Sequence, residues 1–180
     1  MTPVLINFVS FQLGWFACVL GGAYQLPWFG TVLVSIIVGF HLLRADQPLA
    51  ELYLILFAIA IGSLWDSFLV FQGWLEYPSG TLIANTAPHW ILALWAVFAT
   101  TLNVSLRWLK RRWLVATLSG AIAGPLAYYG GAQLGGVVFT DDLIALTALS
   151  LGWAILMPAL IALSLRLDGF PDLATVRRSS

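Results

Sequence analysis

Apolar residues in this sequence form long runs, which short polar or turn-rich segments separate. A helix that crosses the roughly 30 Å hydrocarbon core of a membrane needs about 20 mostly apolar residues, and six runs come close to this length. We therefore predict an all-α polytopic membrane protein, a single compact bundle of six transmembrane helices. The predicted spans are approximately residues 3–23, 26–43, 49–71, 88–106, 113–129 and 143–165. Residues 1–166 would form this domain, and residues 167–180 a short cytoplasmic tail.

The composition excludes several other classes of protein. Hydrophobic residues make up 61% of the chain and charged residues 9%, and the mean hydropathy is +0.93. Soluble domains carry about 25% charged residues, so this chain cannot cover a water-facing surface. The net charge is zero and the basic cluster is confined to one short loop, which argues against nucleic-acid binding. The single cysteine, Cys18, rules out a disulfide framework within the chain.

The positions of the basic residues predict the orientation in the membrane. Lys and Arg in short connections stay on the cytoplasmic side. With six spans, the second-to-third connection, the fourth-to-fifth connection and the tail share one side, and they contain every positive charge. Both termini are therefore predicted to be cytoplasmic. The basic residues are Arg44, Arg107, Lys110, Arg111, Arg112, Arg166, Arg177 and Arg178; the acids toward the other side are Asp66, Glu76, Asp141 and Asp142.

Asp66 is the most informative polar residue, because it lies within the third span. An acid at the bilayer centre costs about 2.5–3.5 kcal/mol on the insertion scale. Asp66 precedes the end of the span at Phe71 by five residues, which corresponds to a depth of about 8 Å. Two interpretations remain open: a structural carboxylate that is hydrogen-bonded to a neighbouring helix or to interfacial water, and a group that binds a ligand or handles protons.

Other side chains are predicted to lie near Asp66. His89, at the outer start of the fourth span, lies at a similar depth and could form an acid–base pair with Asp66, or could be a solvated interfacial histidine. Trp15, Trp65 and Trp95 lie deeper; they either pack within the bundle or form the apolar walls of a ligand pocket. Gln72 and Glu76 could belong to the same outer layer.

A second set of residues is predicted to pack helices together. Gly120 and Gly124 form a GxxxG pattern in the fifth span, which allows two backbones to approach closely. Pro125 follows and predicts a kink or local unwinding. In the first span, Asn7 and Gln12 could hold adjacent helices through side-chain hydrogen bonds.

No motif for a metal or a cofactor is found. The two histidines, His41 and His89, are predicted to lie at opposite membrane surfaces, so they cannot jointly bind a metal ion or a haem. There is no Cys pair, phosphate loop or dinucleotide fingerprint. A rhomboid-type serine protease would need a histidine on the sixth span, where there is none. We therefore predict no cofactor and no metal, and the sequence does not decide whether the chain is an enzyme.

Several short motifs together resemble a known family. They are Asn7-Phe8, the segment Phe11-Gln12-Leu13-Gly14-Trp15-Phe16, Pro27-Trp28, Asp66-Ser67, Pro88-His89-Trp90, Leu94-Trp95 and Phe98-Ala99. The chain resembles small bacterial inner-membrane proteins that are catalogued only as a domain of unknown function, over most of its length up to the sixth span. The resemblance implies a bacterial inner membrane and one compact bundle. It implies no catalytic residue and no cofactor.

Three hypotheses for the function follow. The first is binding of a lipid or a small apolar or amphipathic molecule in an outer-leaflet pocket near Asp66. The second is a structural role, in which the fifth span packs against a membrane-protein partner or a second copy of the chain. The third is a membrane enzyme that uses Asp66 and His89 as an acid–base pair. Membrane lipids are the expected partners in all three cases.

Overall fold

The computed structural model describes residues 2–170 and is a bundle of six helices. Two short strands form an antiparallel ribbon in which Leu75 pairs with Phe139. Arg177 and Arg178, two of the basic residues that predict the orientation, lie outside the described residues. The elements are α1 (Pro3–Ala23), α2 (Pro27–Leu43), α3 (Pro48–Phe71), β1 (Leu75–Glu76), α4 (His89–Leu102), a 3-10 turn (Arg107–Leu109), α5 (Trp113–Gln133), β2 (Val138–Phe139) and α6 (Asp142–Arg166).

Local sequence signals explain where most helices begin. Proline occupies the first position of α1, α2 and α3, where its missing N–H would have had no partner in any case. Asp141 caps α6 because its carboxylate accepts a hydrogen bond from the N–H of Ile144 at 3.0 Å. Three helices, α1, α3 and α6, are long and apolar enough to span a membrane. The apolar helices α2 and α4 are shorter.

Two helices end at positions that differ from the predicted ones. α4 ends at Leu102 rather than near residue 106, because the carbonyl of Thr101 accepts the N–H groups of both Val104 and Leu106 and closes a turn. α5 continues to Gln133, four residues beyond the predicted end. It stops where Gly135 adopts a positive φ of 81°, a conformation that ends many helices.

α4 is the central helix of the bundle. It packs against α1, α2 and α3, and ten of its fourteen residues are buried. α5 and α6 pack closely against each other as a hairpin. This hairpin contacts the first four helices mainly through α6, on α3 and α4. A cleft is therefore left between α5 on one side and α1 and α4 on the other.

Small residues bring α5 and α6 together. A Cβ atom at Gly120 would overlap the backbone of Trp153, and one at Gly124 would overlap the Trp153 ring. Pro125 was predicted to cause a kink or local unwinding, and the unwinding does not occur, since α5 is helical throughout. Pro125 cannot bond the carbonyl of Ala121, and the Ser150 hydroxyl of α6 donates to that carbonyl instead at 2.9 Å.

The helix connections meet at two opposite ends of the bundle. At one end, which we call the basic end, the α2–α3 connection, the α4–α5 connection and the segment after α6 are hydrogen-bonded to one another. At the other, the acidic end, Gln25 donates to the carbonyl of Pro78, Ser79 donates to that of Gly22, and the ribbon joins the remaining connections. Every Lys and Arg among residues 2–170 belongs to the basic end.

Candidate functional site

The carboxylate of Asp66 is completely buried and accepts three hydrogen bonds from aromatic side chains. The hydroxyls of Tyr77 and Tyr128 donate to Oδ1 at 3.0 and 2.6 Å, and the indole N–H of Trp95 donates to Oδ2 at 2.7 Å. We call these four residues the Asp66 cluster. The donors come from the α3–α4 connection, α4 and α5, so the acid joins three parts of the fold. A carboxylate with this many donors can remain buried at an acceptable cost.

Glycines make room for the aromatic rings of this region. Gly62 of α3 has no Cβ, and the ring of Trp95 occupies the space where one would be. Trp95 in turn stacks on Trp153 of α6, with ring centroids 4.9 Å apart and planes 9° from parallel. Gly124 of α5 accommodates the other side of Trp153. The donor to Asp66 is thus held by a tightly packed aromatic pair rather than by a mobile loop.

A cavity of about 410 Å³ lies in the cleft between α5 and the pair α1 and α4. Three members of the Asp66 cluster form part of its wall: Tyr77, Trp95 and Tyr128. The α5 wall consists of small residues at every fourth position, which explains why the space is not filled by side chains. These residues are Ser119, Ala123, Ala127 and Gly131; the opposite walls include Phe11, Trp15, Trp90, Leu94 and Phe98.

Tyr77 remains a neutral hydrogen-bond donor. Burial raises the pKa of its hydroxyl well above the usual value, and the nearby charge of Asp66 raises it further. Asp66 itself has no exposed surface, so its carboxylate does not reach the cavity. Its effect on the cavity is indirect: it accepts hydrogen bonds from the hydroxyls of Tyr77 and Tyr128, and both of these residues line the cavity.

The structure brings only some of the predicted ligand-binding residues to the cavity. Trp15 and Trp95 line it. Trp65 does not, because its ring packs against Gly152 of α6 on another side of the bundle. Gln72 and Glu76 are exposed at the acidic end and are not part of the wall, since they lie at the end of α3 and in the surface ribbon.

His89 does not bond to Asp66. Its Nδ1 shares a 2.8 Å hydrogen bond with the hydroxyl of Thr31, and its ring stacks on Trp28 of α2 at 4.1 Å. The first residue of α4 faces α2, whereas Trp95, six residues later, faces α3 and Asp66. The predicted acid–base pair is therefore absent, and the partners of Asp66 are two tyrosines and a tryptophan.

The residues predicted to pack helices differ in their contacts. Asn7 is buried and links α1 to the end of α4, donating to the carbonyl of Thr100 at 3.0 Å and accepting from the Ser105 hydroxyl at 2.7 Å. Gln12 is half-buried, and its side chain makes no hydrogen bond within residues 2–170. Gly120 and Gly124 lie against α6, as described above.

A second buried acid, Glu51, lies at the basic end of α3. Its Oε1 accepts from the Asn103 amide at 2.6 Å and from the N–H of Gly169 at 2.8 Å. Its Oε2 lies 2.8 Å from Nε2 of His41. Glu51 and Asn103 have no exposed surface. Sequence reasoning missed this site, because it treated His41 as an interfacial side chain and did not consider Asn103.

The network around Glu51 continues into ion pairs. Lys110 donates to Asn103 at 2.6 Å and to Asp168 at 2.9 Å, and Arg107 donates to Asp168 at 2.6 Å. Burial opposes ionisation of Asp168, but the hydrogen bonds from Arg107 and Lys110 outweigh it and hold the pKa of this carboxyl below its usual value. We call His41, Glu51, Asn103, Arg107, Lys110 and Asp168 the Glu51 cluster.

No group of three or more His, Cys, Asp or Glu side chains within residues 2–170 is arranged to hold a metal ion. Comparison with known proteins gives one match. The model of a family described as "Protein of unknown function (DUF2878)" matches residues 4–159. No curated protein and no solved structure matches the chain.

Proposed function

We propose that this chain, which belongs to the DUF2878 family of proteins of unknown function, is a six-span bacterial inner-membrane protein that binds a membrane-resident apolar or amphipathic molecule. The single observation that carries the proposal is the cavity of about 410 Å³ beside the Asp66 cluster. Small-molecule sites are typically concave, about 300–1,000 Å³ in volume and mostly apolar, with a few well-placed polar groups. The cavity has each of these properties.

The arrangement of the helices supports six spans. Successive connections alternate between the basic and the acidic end, so each helix runs from one end of the bundle to the other. The basic residues collect at one end, which we assign to the cytoplasm together with both termini. The bacterial inner membrane follows from the family resemblance given above.

The chemistry of the walls supports an apolar ligand with at most one polar end. Aromatic and aliphatic side chains provide nearly all of the lining. The lining residues with hydroxyl groups are Tyr77, Tyr128 and Ser119, and the protons of the two tyrosine hydroxyls are committed to Asp66. Each hydroxyl oxygen still has a lone pair and can accept a hydrogen bond from a ligand.

Contacts within the bundle argue against the two alternative functions, a structural partner and an acid–base enzyme. Gly120 and Gly124 already pack against α6 of the same chain, so they are not free to bind a partner. His89 is bonded to Thr31 rather than to Asp66, so the pair needed for acid–base catalysis is not formed.

Filling the cavity tests the proposal. Ala127 lies in the cavity wall and is exposed, whereas the neighbouring Leu126 is exposed but outside the wall. We expect wild-type protein purified in mild detergent to retain a small molecule or lipid in native mass spectrometry. Ala127→Phe should lose it and Leu126→Phe should keep it. Equal retention by the two variants, or an empty wild-type protein, would contradict the proposal.

The orientation has a separate test. In a Cys18→Ala background, a cysteine at the exposed position 83 of the acidic end (Ile83→Cys) should react with an impermeant thiol reagent in intact cells. A cysteine at position 166 (Arg166→Cys), at the basic end, should react only after the cells are broken. The reverse pattern would overturn the assignment of the cytoplasmic side.

A further inference from the structure

The cavity is elongated along the bundle. On α5 its wall extends from Ser119 to Gly131, a distance of about 18 Å at 1.5 Å per residue. Tyr77 and Val137 line it toward the acidic end. Trp108 and Leu109, in the α4–α5 connection, line it at the basic end. The cavity therefore fits an extended chain better than a compact ring system, and its two ends differ in their surroundings.

Unpaired positive charge follows one of these ends closely along the chain. Arg111 and Arg112 follow Leu109 closely, and both are exposed. Neither takes part in an ion pair within residues 2–170, whereas Arg107 and Lys110 are both paired with Asp168. The N-terminus of α5 at Trp113 adds to this field, since its first turn contains no acidic residue and has no side-chain cap.

The opposite end of the cavity disfavours anions. It contains the buried Asp66, and the exposed acids of this end are Glu76, Asp141 and Asp142. No Lys or Arg among residues 2–170 lies there. A phosphate placed beside Tyr77 and Tyr128 would meet a nearby carboxylate whose hydrogen bonds already use both hydroxyl protons.

We infer that the ligand is an anionic phospholipid, with its headgroup at Arg111 and Arg112 and one acyl chain along α5 toward Tyr128. This inference rests on the proposed function and adds the class and the direction of the ligand. Guanidinium groups bind phosphate oxygens through paired hydrogen bonds, and their charge attracts a lipid with net negative charge more than a zwitterionic one. The aromatic and small-residue walls exclude water from the chain.

The probes are two phospholipids with identical dioleoyl chains, the anionic phosphatidylglycerol and the zwitterionic phosphatidylcholine. Each is titrated onto delipidated full-length protein in detergent, and binding is measured by native mass spectrometry and by the shift in thermal midpoint. We expect tighter binding of phosphatidylglycerol. The double variant Arg111→Gln/Arg112→Gln should weaken that binding by about thirtyfold, which is the combined contribution of two basic residues to binding at an anionic lipid surface. Binding of phosphatidylcholine should weaken less, because that lipid carries the same phosphate but no net charge.

The controls separate this inference from the proposed function. Arg166→Gln removes an exposed charge at the same end and should leave the lipid preference unchanged. Arg166 lies nine residues beyond Met157, the last α6 residue in the cavity wall, whereas Arg111 lies two residues from Leu109. Ala127→Phe should abolish binding of both lipids. Equal affinity for the two lipids, unaffected by the arginine substitutions but lost in Ala127→Phe, would overturn the inference and leave the proposed function standing. Lipid binding that survives in Ala127→Phe would overturn both.

Discussion

Helix α3 contains two buried acids, Asp66 and Glu51, about 22 Å apart along its axis, and their surroundings differ in kind. All three donors to Asp66 are neutral aromatic side chains, which also form part of a cavity wall. Glu51 is held by an amide, a backbone N–H and a histidine, and none of these groups lines that cavity.

The difference indicates two roles for buried carboxylates in one bundle. The Glu51 cluster joins the α2–α3 connection, the α4–α5 connection and the segment after α6, and ion pairs complete it. Most of its hydrogen bonds tie one part of the chain to another. The Asp66 cluster instead fixes the direction of hydroxyl groups beside an open volume. The first arrangement stabilises the fold, and we propose that the second prepares a surface for a ligand.

Removing the Glu51 carboxylate is expected to have the largest effect. Glu51→Ala leaves Asn103, Gly169 and His41 without their acceptor in a fully buried site, and should cost about 3–5 kcal/mol of unfolding free energy. Thermal unfolding in detergent measures the loss. Glu76→Ala, an exposed acid at the other end, should change the unfolding free energy by less than about 0.5 kcal/mol. Equal midpoints for the two variants would contradict the structural role of the Glu51 cluster.

Substitutions of Asp66 should cost less, because its three donors are neutral side chains, whereas the network around Glu51 includes ion pairs. Asp66→Leu removes the acceptor for three donors and should cost about 2–3 kcal/mol. Asp66→Asn should cost about 1 kcal/mol or less, since the amide oxygen can accept from Trp95 while both tyrosine hydroxyls rotate to accept from the amide. The same unfolding assay applies. If Asp66→Leu lowered the unfolding free energy as much as Glu51→Ala does, the distinction between the two clusters would be contradicted.

A substitution at Gly124 should disturb the Asp66 cluster indirectly, through the packing of Trp153 against Trp95. Gly124→Leu displaces Trp153, the ring on which Trp95 stacks, and should cost about 1–3 kcal/mol through overpacking. It should also abolish lipid retention in native mass spectrometry. Gly39→Leu in α2 is the matched control, because a Cβ there meets nothing within 4 Å. A stable Gly124→Leu protein that still retains lipid would contradict the packing described for α5.

The smallest expected effect is a pH dependence confined to the Glu51 cluster. The pKa of Asp168 is lowered from 3.8, so its ionised form stabilises the fold at pH values above about 4. This contribution is lost as the pH falls from there through the lowered pKa. Thermal midpoints between pH 3 and 6 should therefore fall more steeply for wild type than for Asp168→Asn. Parallel curves would show that the ion pairs with Arg107 and Lys110 contribute nothing measurable.

Sequence patterns predicted the helices well, because proline, apolar runs and charge carry local information. Pro3, Pro27 and Pro48 mark helix starts in the structure. The sequence also indicated that an acid at position 66 is costly within a span, and a neighbouring helix that offers hydrogen bonds was one of the partners it allowed. It did not identify them, since Tyr128 is 62 residues away and its direction depends on how α5 packs against α6.

The Glu51 cluster shows a second limit. Arg107 and Lys110 were interpreted as topology signals, and this interpretation did not use their pairing with Asp168. Asn103 was the available signal: an amide within a predicted span, followed closely by basic residues, needs a buried acceptor. The cavity was even less predictable. It arises from the small side chains at Ala123 and Ala127, combined with a hairpin that contacts the other helices mainly through α6.

The short central helix has a consequence for biogenesis. α4 has fourteen residues, about 21 Å of helix, which is less than the roughly 30 Å of a hydrocarbon core. It packs mainly against α1, α2 and α3, all of which precede it in the chain and leave the ribosome earlier. The shell is thus synthesised before the segment that it encloses. Insertion of α4 is then an assembly step, in which a helix too short for independent residence in lipid enters a site already made of protein.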